Sequence, residues 1–350
     1  MTIASVRAEF SPAGTYLNTA SLALPPRRTV DAVAAAVERW SHGLDNAPDF
    51  DAPVQHARER YAELVGVDAD RVAIGSQVSV LAGIVAAGLP DDAQVLLASG
   101  DFTSVMFPFL AQERRGVRVR DVPLADLPGE IGPGTTLVAV AAVQSADGAL
   151  ADLDAIEAAA REHGARTLID LTQAAGWLPI DAGRFDYTVC AAYKWLLAPR
   201  GCAMLTMAPE HFGEAIPHGA SWFGNADVWN SIYGAPLRLA DTARAYDASP
   251  AWHSWVGLEE SLDFLLGLGI EQIHAHDVGL ADDFLAALGR PPAGSAIVSV
   301  PVAPGTAEAA AAAGIQAAMR AGRLRVSFHV SNDADDVARA VEVLGPFVRE

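Results

Sequence analysis

Seven short runs rich in apolar and β-branched residues, at positions 71–75, 94–99, 118–123, 136–143, 166–171, 187–192 and 202–207, punctuate the first two thirds of the chain. Ala-rich helical stretches separate many of them. This alternation is the pattern of strands joined by crossover helices into a mainly parallel sheet. The run from Leu137 to Val143 contains no polar residue at all. A strand of that kind must be covered on both faces, as central strands of α/β sheets are. Helices are expected after Ser76, from near Ser104, and over 152–163.

Beyond about Gly224 the pattern changes. An aromatic, Gly-rich stretch leads into two helical regions, 256–268 and 270–288, followed by a strand at 295–302. An Ala-rich helix is expected over 306–319, since Ala is the best helix former. A strand at 324–330 and a last helix capped by Asn332 or Asp333 close the chain. The fold class read from this order is α/β: a large domain over 21–248, its mainly parallel sheet between helices, and a smaller α+β domain over 249–350. No internal repeat is visible.

Composition narrows the function classes. Acidic residues outnumber basic ones 43 to 24, for a formal charge of -19. Such a chain repels phosphate backbones and anionic membrane surfaces, so neither nucleic acid nor a membrane is an expected partner. Its apolar runs, such as 80–89, fall short of the roughly 18 residues of a membrane span, and no basic-then-apolar leader opens the sequence. A cytoplasmic protein is expected. Cys190 and Cys202, the two cysteines, both sit in apolar runs, which suits reduced buried thiols better than a disulfide.

Of the 24 basic residues, 23 are Arg and one, Lys194, is Lys. Arg supplies charge at any pH a protein tolerates, but only an amine that sheds its proton can be a nucleophile or form an imine. Chance retention is the alternative. Lys194 ends the apolar run at 187–192, and Asp170 ends the one before it. Ligands in open α/β sheets sit beyond the carboxyl ends of strands, so both residues point toward one crevice. For Asp170 alone, an ordinary helix-cap or turn role is the competing reading.

Asp170 with Gln173, then Tyr193, Lys194 and Trp195, then Pro199, Arg200 and Gly201, resemble the Asp-x-x-Gln, His-Lys-Trp and Pro-x-Gly motifs of the fold-type I pyridoxal-phosphate enzymes, in the class V aminotransferase and cysteine desulfurase group. The likeness spans nearly the whole chain. Residues 16–20 are similar to that family's N-terminal segment, which places residues 1–20, with Asn18, near the substrate. The stretch 324–332 resembles the family's Arg-x-Ser strand, whose arginine, here Arg325, grips a substrate carboxylate.

The resemblance implies pyridoxal 5'-phosphate as cofactor and a role for each residue. Lys194 would carry the cofactor as a Schiff base and then move protons at the substrate α-carbon. Asp170 would pair with the ring nitrogen, and Gln173 and Ser145 would bond the ring oxygen region. Ser76 and Gln77, at a strand end opening a helix, would cup the phosphate, where the competing reading is a plain Ser N-cap. Phe102 would stack on the ring, with a core position as the alternative. Ser249 would reach across a homodimer interface, so that active sites are shared between subunits.

Departures from the family bear on chemistry. Ala191 and Tyr193 stand where many relatives carry a hydroxyl and a histidine. No cysteine follows Cys202, so a desulfurase mechanism needing a mobile cysteine in the C-terminal domain is not expected. Trp222, Trp229, Tyr233, Trp252 and Trp255 concentrate aromatic surface after residue 220, mostly for core or interface, with one or two available to line a pocket. His274 and His276 lie two apart on an expected helix and so do not share a face; no metal site is expected. Dinucleotide and phosphate-loop glycine motifs are absent. The expected function is a pyridoxal-phosphate enzyme, class V aminotransferase-like, acting on an amino acid or amine. Carbon-sulfur lysis and epimerisation are the alternatives within the family, and a non-catalytic protein retaining the fold the alternative outside it.

Overall fold

In the computed structural model, which describes residues 2–320 and 322–349, all seven expected runs form strands of a single sheet. After a two-residue strand β1 (Thr15–Tyr16) come β2 (Val72–Gly75), β3 (Gln94–Ala98), β4 (Arg118–Val122), β5 (Leu137–Ala141), β6 (Arg166–Asp170), β7 (Tyr187–Ala191) and β8 (Ala203–Met207). Their spatial order is β2-β8-β7-β6-β5-β3-β4. β8 runs antiparallel to both of its neighbours, while the other pairings are parallel.

Alternation along each strand feeds two separate cores. In β5, Val138 and Val140 join one cluster with the helices Asp51–Val65 and Trp252–Leu268, whereas Leu137 and Ala139 join another with the helix Val78–Gly88. This is why the run shows no polar residue: neither face meets water. Each Val or Leu so buried stabilises the fold by roughly 1.5–3 kcal/mol. The helices Arg27–Ser41 and Asp51–Val65 were not expected from the sequence.

The remaining strands are β9 (Ile297–Pro301), β10 (Ile315–Gln316), β11 (Ala318–Arg320) and β12 (Arg323–Ser327). β11, β12 and β9 make an antiparallel sheet in that order, and β10 pairs in parallel with β1. One expectation needs correction. The helix expected over 306–319 stops at Ala312; Gly314 takes a left-handed backbone (φ 70°), and β10 and β11 follow at 315–316 and 318–320. Helix propensity of the Ala run gives way to pairing with β1 and β12, a tertiary contact invisible in local sequence. Asp333 caps the last helix, Ala334–Leu344, accepting from the Asp335 and Asp336 amides.

The N-terminal segment ties the two sheets to one another. Past β1, the Leu17 carbonyl accepts from Ser327 N–H at 2.9 Å and Ala20 N–H donates to Ser327 Oγ at 3.0 Å. Ala23 N–H then donates to the Tyr193 carbonyl at 3.1 Å. The chain therefore runs from β12 to the turn that carries Lys194. Among the described residues no helix is long and apolar enough to cross a membrane.

Candidate active site

Asp170 is the last residue of β6, and Lys194 lies three residues past the end of the neighbouring β7. Thr172 joins the two strand ends: its N–H donates to Asp170 Oδ1 at 2.8 Å, and its hydroxyl accepts from Ala191 N–H at 3.0 Å. Asp170 and Lys194 are 4% and 5% exposed, a burial that decides their protonation. Among the described residues no hydrogen bond or ion pair holds the Lys194 nitrogen, which lies 5.2 Å from the Phe102 ring centre and 5.7 Å from that of Tyr193. Both residues line one cleft.

Burial disfavours charge on both groups. It lowers Lys194 to about 8 against the pull of Asp170, with the positive charges of Arg325 and Arg320 adding to the fall. It raises Asp170 to about 6, opposed by the hydrogen bonds from Thr172 and the charge of Lys194. Asp101, whose carboxylate accepts from Ala141 N–H at 2.7 Å and from its neighbour Phe102 N–H at 2.6 Å, is also raised by burial.

Most of the expected residues meet here. Ser76, Gln77, Phe102, Ser145, Gln173 and Tyr193 line the same cleft. Gln77 is the N-cap of the helix Val78–Gly88 and no side chain caps it, so a plain Ser76 cap is ruled out and the first amides are open to an anion. Phe102 is 47% exposed, which excludes a core role. Gln173 Nε2 donates to Ser145 Oγ at 2.9 Å and to the Ala20 carbonyl at 3.0 Å, while its Oε1 accepts from Trp195 Nε1 at 2.8 Å. Buried Arg325, on β12, donates to the Ser145 carbonyl, to Ser145 Oγ at 3.2 Å and to Ser21 Oγ at 2.6 Å. No carboxylate neutralises it among the described residues, and burial with the nearby Arg320 charge lowers it to about 10.

Other residues stay apart. Ser249 is exposed and does not line the cleft, although Ala248 beside it donates to the Ile74 carbonyl at 2.9 Å. Asn18 bridges to Ser327, its Oδ1 buried and unpartnered, and it too lies outside the cleft lining. None of the five aromatic residues after 220 lines it: Trp255 is core, Trp252 stacks on Phe50, Trp222 packs on Trp229, and Tyr233 is exposed. Thr172, Asp101 and Ser21 were not singled out from the sequence, because their roles come from hydrogen bonds rather than motifs. Arg200 was visible only as the variable residue of Pro-x-Gly; it lines the cleft 5.0 Å from the Tyr193 ring centre.

The model of the family described as aminotransferase class-V matches residues 15–304. The chain belongs to the class-V aminotransferase family. It is 29% identical over 302 residues to isopenicillin N epimerase of Streptomyces clavuligerus, covering 77% of this chain and 74% of the relative. It is 27% identical over 312 residues to kynureninase of Deinococcus radiodurans, covering 81% and 73%. The fold matches that of the cystine C-S lyase C-DES, solved with its product cysteine persulfide, at a TM-score of 0.88 over 96% of this chain and 98% of the other, with 21% identity.

As a class-V member the protein is a pyridoxal-phosphate-dependent enzyme with the fold expected from its sequence. The residues present fit that cofactor. A buried amine without an acceptor, a buried carboxylate on the adjacent strand and an uncapped helix start all face one cleft. Cys190 and Cys202 are free, buried and shifted upward by burial, as packing thiols are.

Proposed function

We propose that this class-V enzyme acts on an amino acid or amine, with Lys194 as both the covalent anchor of the cofactor and the proton carrier at the substrate α-carbon. The observation that carries the reading is the chain's only lysine, buried beside Asp170 where two parallel strands end. Bound pyridoxal phosphate supplies an electron sink for a bond broken at the α-carbon. Lys194, lowered to about 8, holds or releases a proton near neutral pH, the range in which general acid-base catalysis is most effective. Asp170 would pair with the ring nitrogen of the bound cofactor, and Thr172 keeps its carboxylate oriented. Ser76 and Gln77 would receive the phosphate at the open helix start. Phe102 would cover one face of the bound ring and the Gln173–Ser145 pair would bond its oxygen side, while Tyr193 flanks Lys194. Arg325, without an acid partner, grips the substrate carboxylate, with Asn18 in the segment beside it.

The proposed chemistry is class V aminotransferase-like, in a cytoplasmic homodimer, with carbon-sulfur lysis and epimerisation as the alternatives. Exposed Ser249 would serve the partner's site rather than its own. The proposed units are an N-terminal segment of residues 1–20, a large cofactor-binding domain of 21–248 and a small domain of 249–350. Purified protein loaded with the cofactor should be yellow, and borohydride should fix the cofactor on Lys194, read as peptide mass. A wild-type protein that stays colourless with excess pyridoxal phosphate sinks the reading. An amino-acid and amine panel run with and without a keto acid acceptor separates transamination from carbon-sulfur lysis and epimerisation.

A further inference from the structure

Three arginines share one face of the β11–β12 hairpin. Arg320 lies directly opposite Arg323, and Arg325 opposite Ala318 one pair along that face. Like charges placed opposite one another across a strand pair destabilise it. The chain has 43 carboxylates for 24 basic groups, yet among the described residues none forms an ion pair with any of the three. Arg323 is satisfied by Ser299, whose Oγ and carbonyl accept at 3.0 and 2.9 Å.

Arg320 and Arg325 converge instead. Both donate to Ser21 Oγ, at 3.2 and 2.6 Å. A hydroxyl that accepts two bonds keeps its own proton to donate. Arg325 is buried and bonds Ser145, which lines the cofactor cleft, whereas Arg320 is exposed. The charge of Arg320 also depresses the proton affinity of Lys194, which places its field at the reacting amine. Two unpaired guanidiniums at one hydroxyl form a receptor for more negative charge than one α-carboxylate brings.

We infer that the substrate is an amino acid carrying a second carboxylate, with Arg325 holding one acid group and Arg320, helped by the Ser21 hydroxyl, holding the other. The inference rests on the proposed reading of the cleft as an amino-acid site. Its test uses the cofactor-loaded enzyme and two unreactive probes of equal carbon count, glutarate and pentanoate, with binding read by calorimetry. Glutarate should bind about tenfold tighter or better, the return of one charge-assisted bond of roughly 1.5 kcal/mol. Arg320→Gln should erase that preference, so that glutarate and pentanoate bind the variant with equal affinity. Equal affinities in the wild type, or a preference that survives in Arg320→Gln, overturns the inference. So does an equal loss for both probes, which would mean that two guanidiniums grip a single carboxylate. Pentanoate binding that persists in Arg325→Gln removes the carboxylate anchor itself, and the reading of the cleft falls with it.

Discussion

Holding Lys194 without an acceptor costs the fold stability, and pH reveals the cost. Its proton affinity drops from 10.5 to about 8 on folding, so between those values the unfolded chain binds more protons and stability of the cofactor-free protein rises with pH. Below about 8 both states are protonated and the whole penalty remains. Lys194→Met should therefore stabilise the cofactor-free protein at pH 7 by roughly 2–3 kcal/mol, with the gain shrinking toward pH 10. Urea melts at the two pH values test this, and a gap that does not narrow would show that burial leaves the amine unshifted. Lys194, Asp170 and Gln173 were legible in the sequence because apolar runs mark strand ends and the motif fixes their spacing. Ser21 was not. It lies one residue past the stretch that resembles the family's opening, and its meaning comes from Arg320 and Arg325, some 300 positions away in the chain.

Among the elements, the segment after β6 does the positioning. Gly176 has φ 110°, and a Cβ there would lie 2.3 Å from the Trp195 carbonyl oxygen, beside Lys194. Gly176→Ala should destabilise the protein by about 3 kcal/mol and weaken cofactor binding together, since the clash falls on the Lys194 turn. Denaturation midpoints and a cofactor titration on the same sample check it; a change in stability alone would uncouple that contact from the site. Strands were easier to read than the β10–β11 region. An unbroken apolar run has one burial solution, whereas an Ala-rich run accepts helix or strand according to what packs on it, and here Gly314 and β1 decide.

For the whole molecule, the sheet was legible because six of its seven strands point one way and its central strands bury both faces. The threading of the N-terminal segment between β12 and the Lys194 turn was not, because hydrogen bonds between distant backbones leave no local pattern. Since the cofactor binds only the assembled site, a thousandfold excess over its Kd should stabilise the native state by about 4 kcal/mol. Thermal melts should show a rise with pyridoxal phosphate that Lys194→Met largely loses; an equal rise in both proteins would place the stabilising contacts elsewhere. The burial of Lys194 also gives the fold a built-in clock. A protease that cuts only after lysine has one target in all 350 residues, and the native fold hides it. Cleavage into two fragments therefore times how often the active site comes apart, with no label added to the protein.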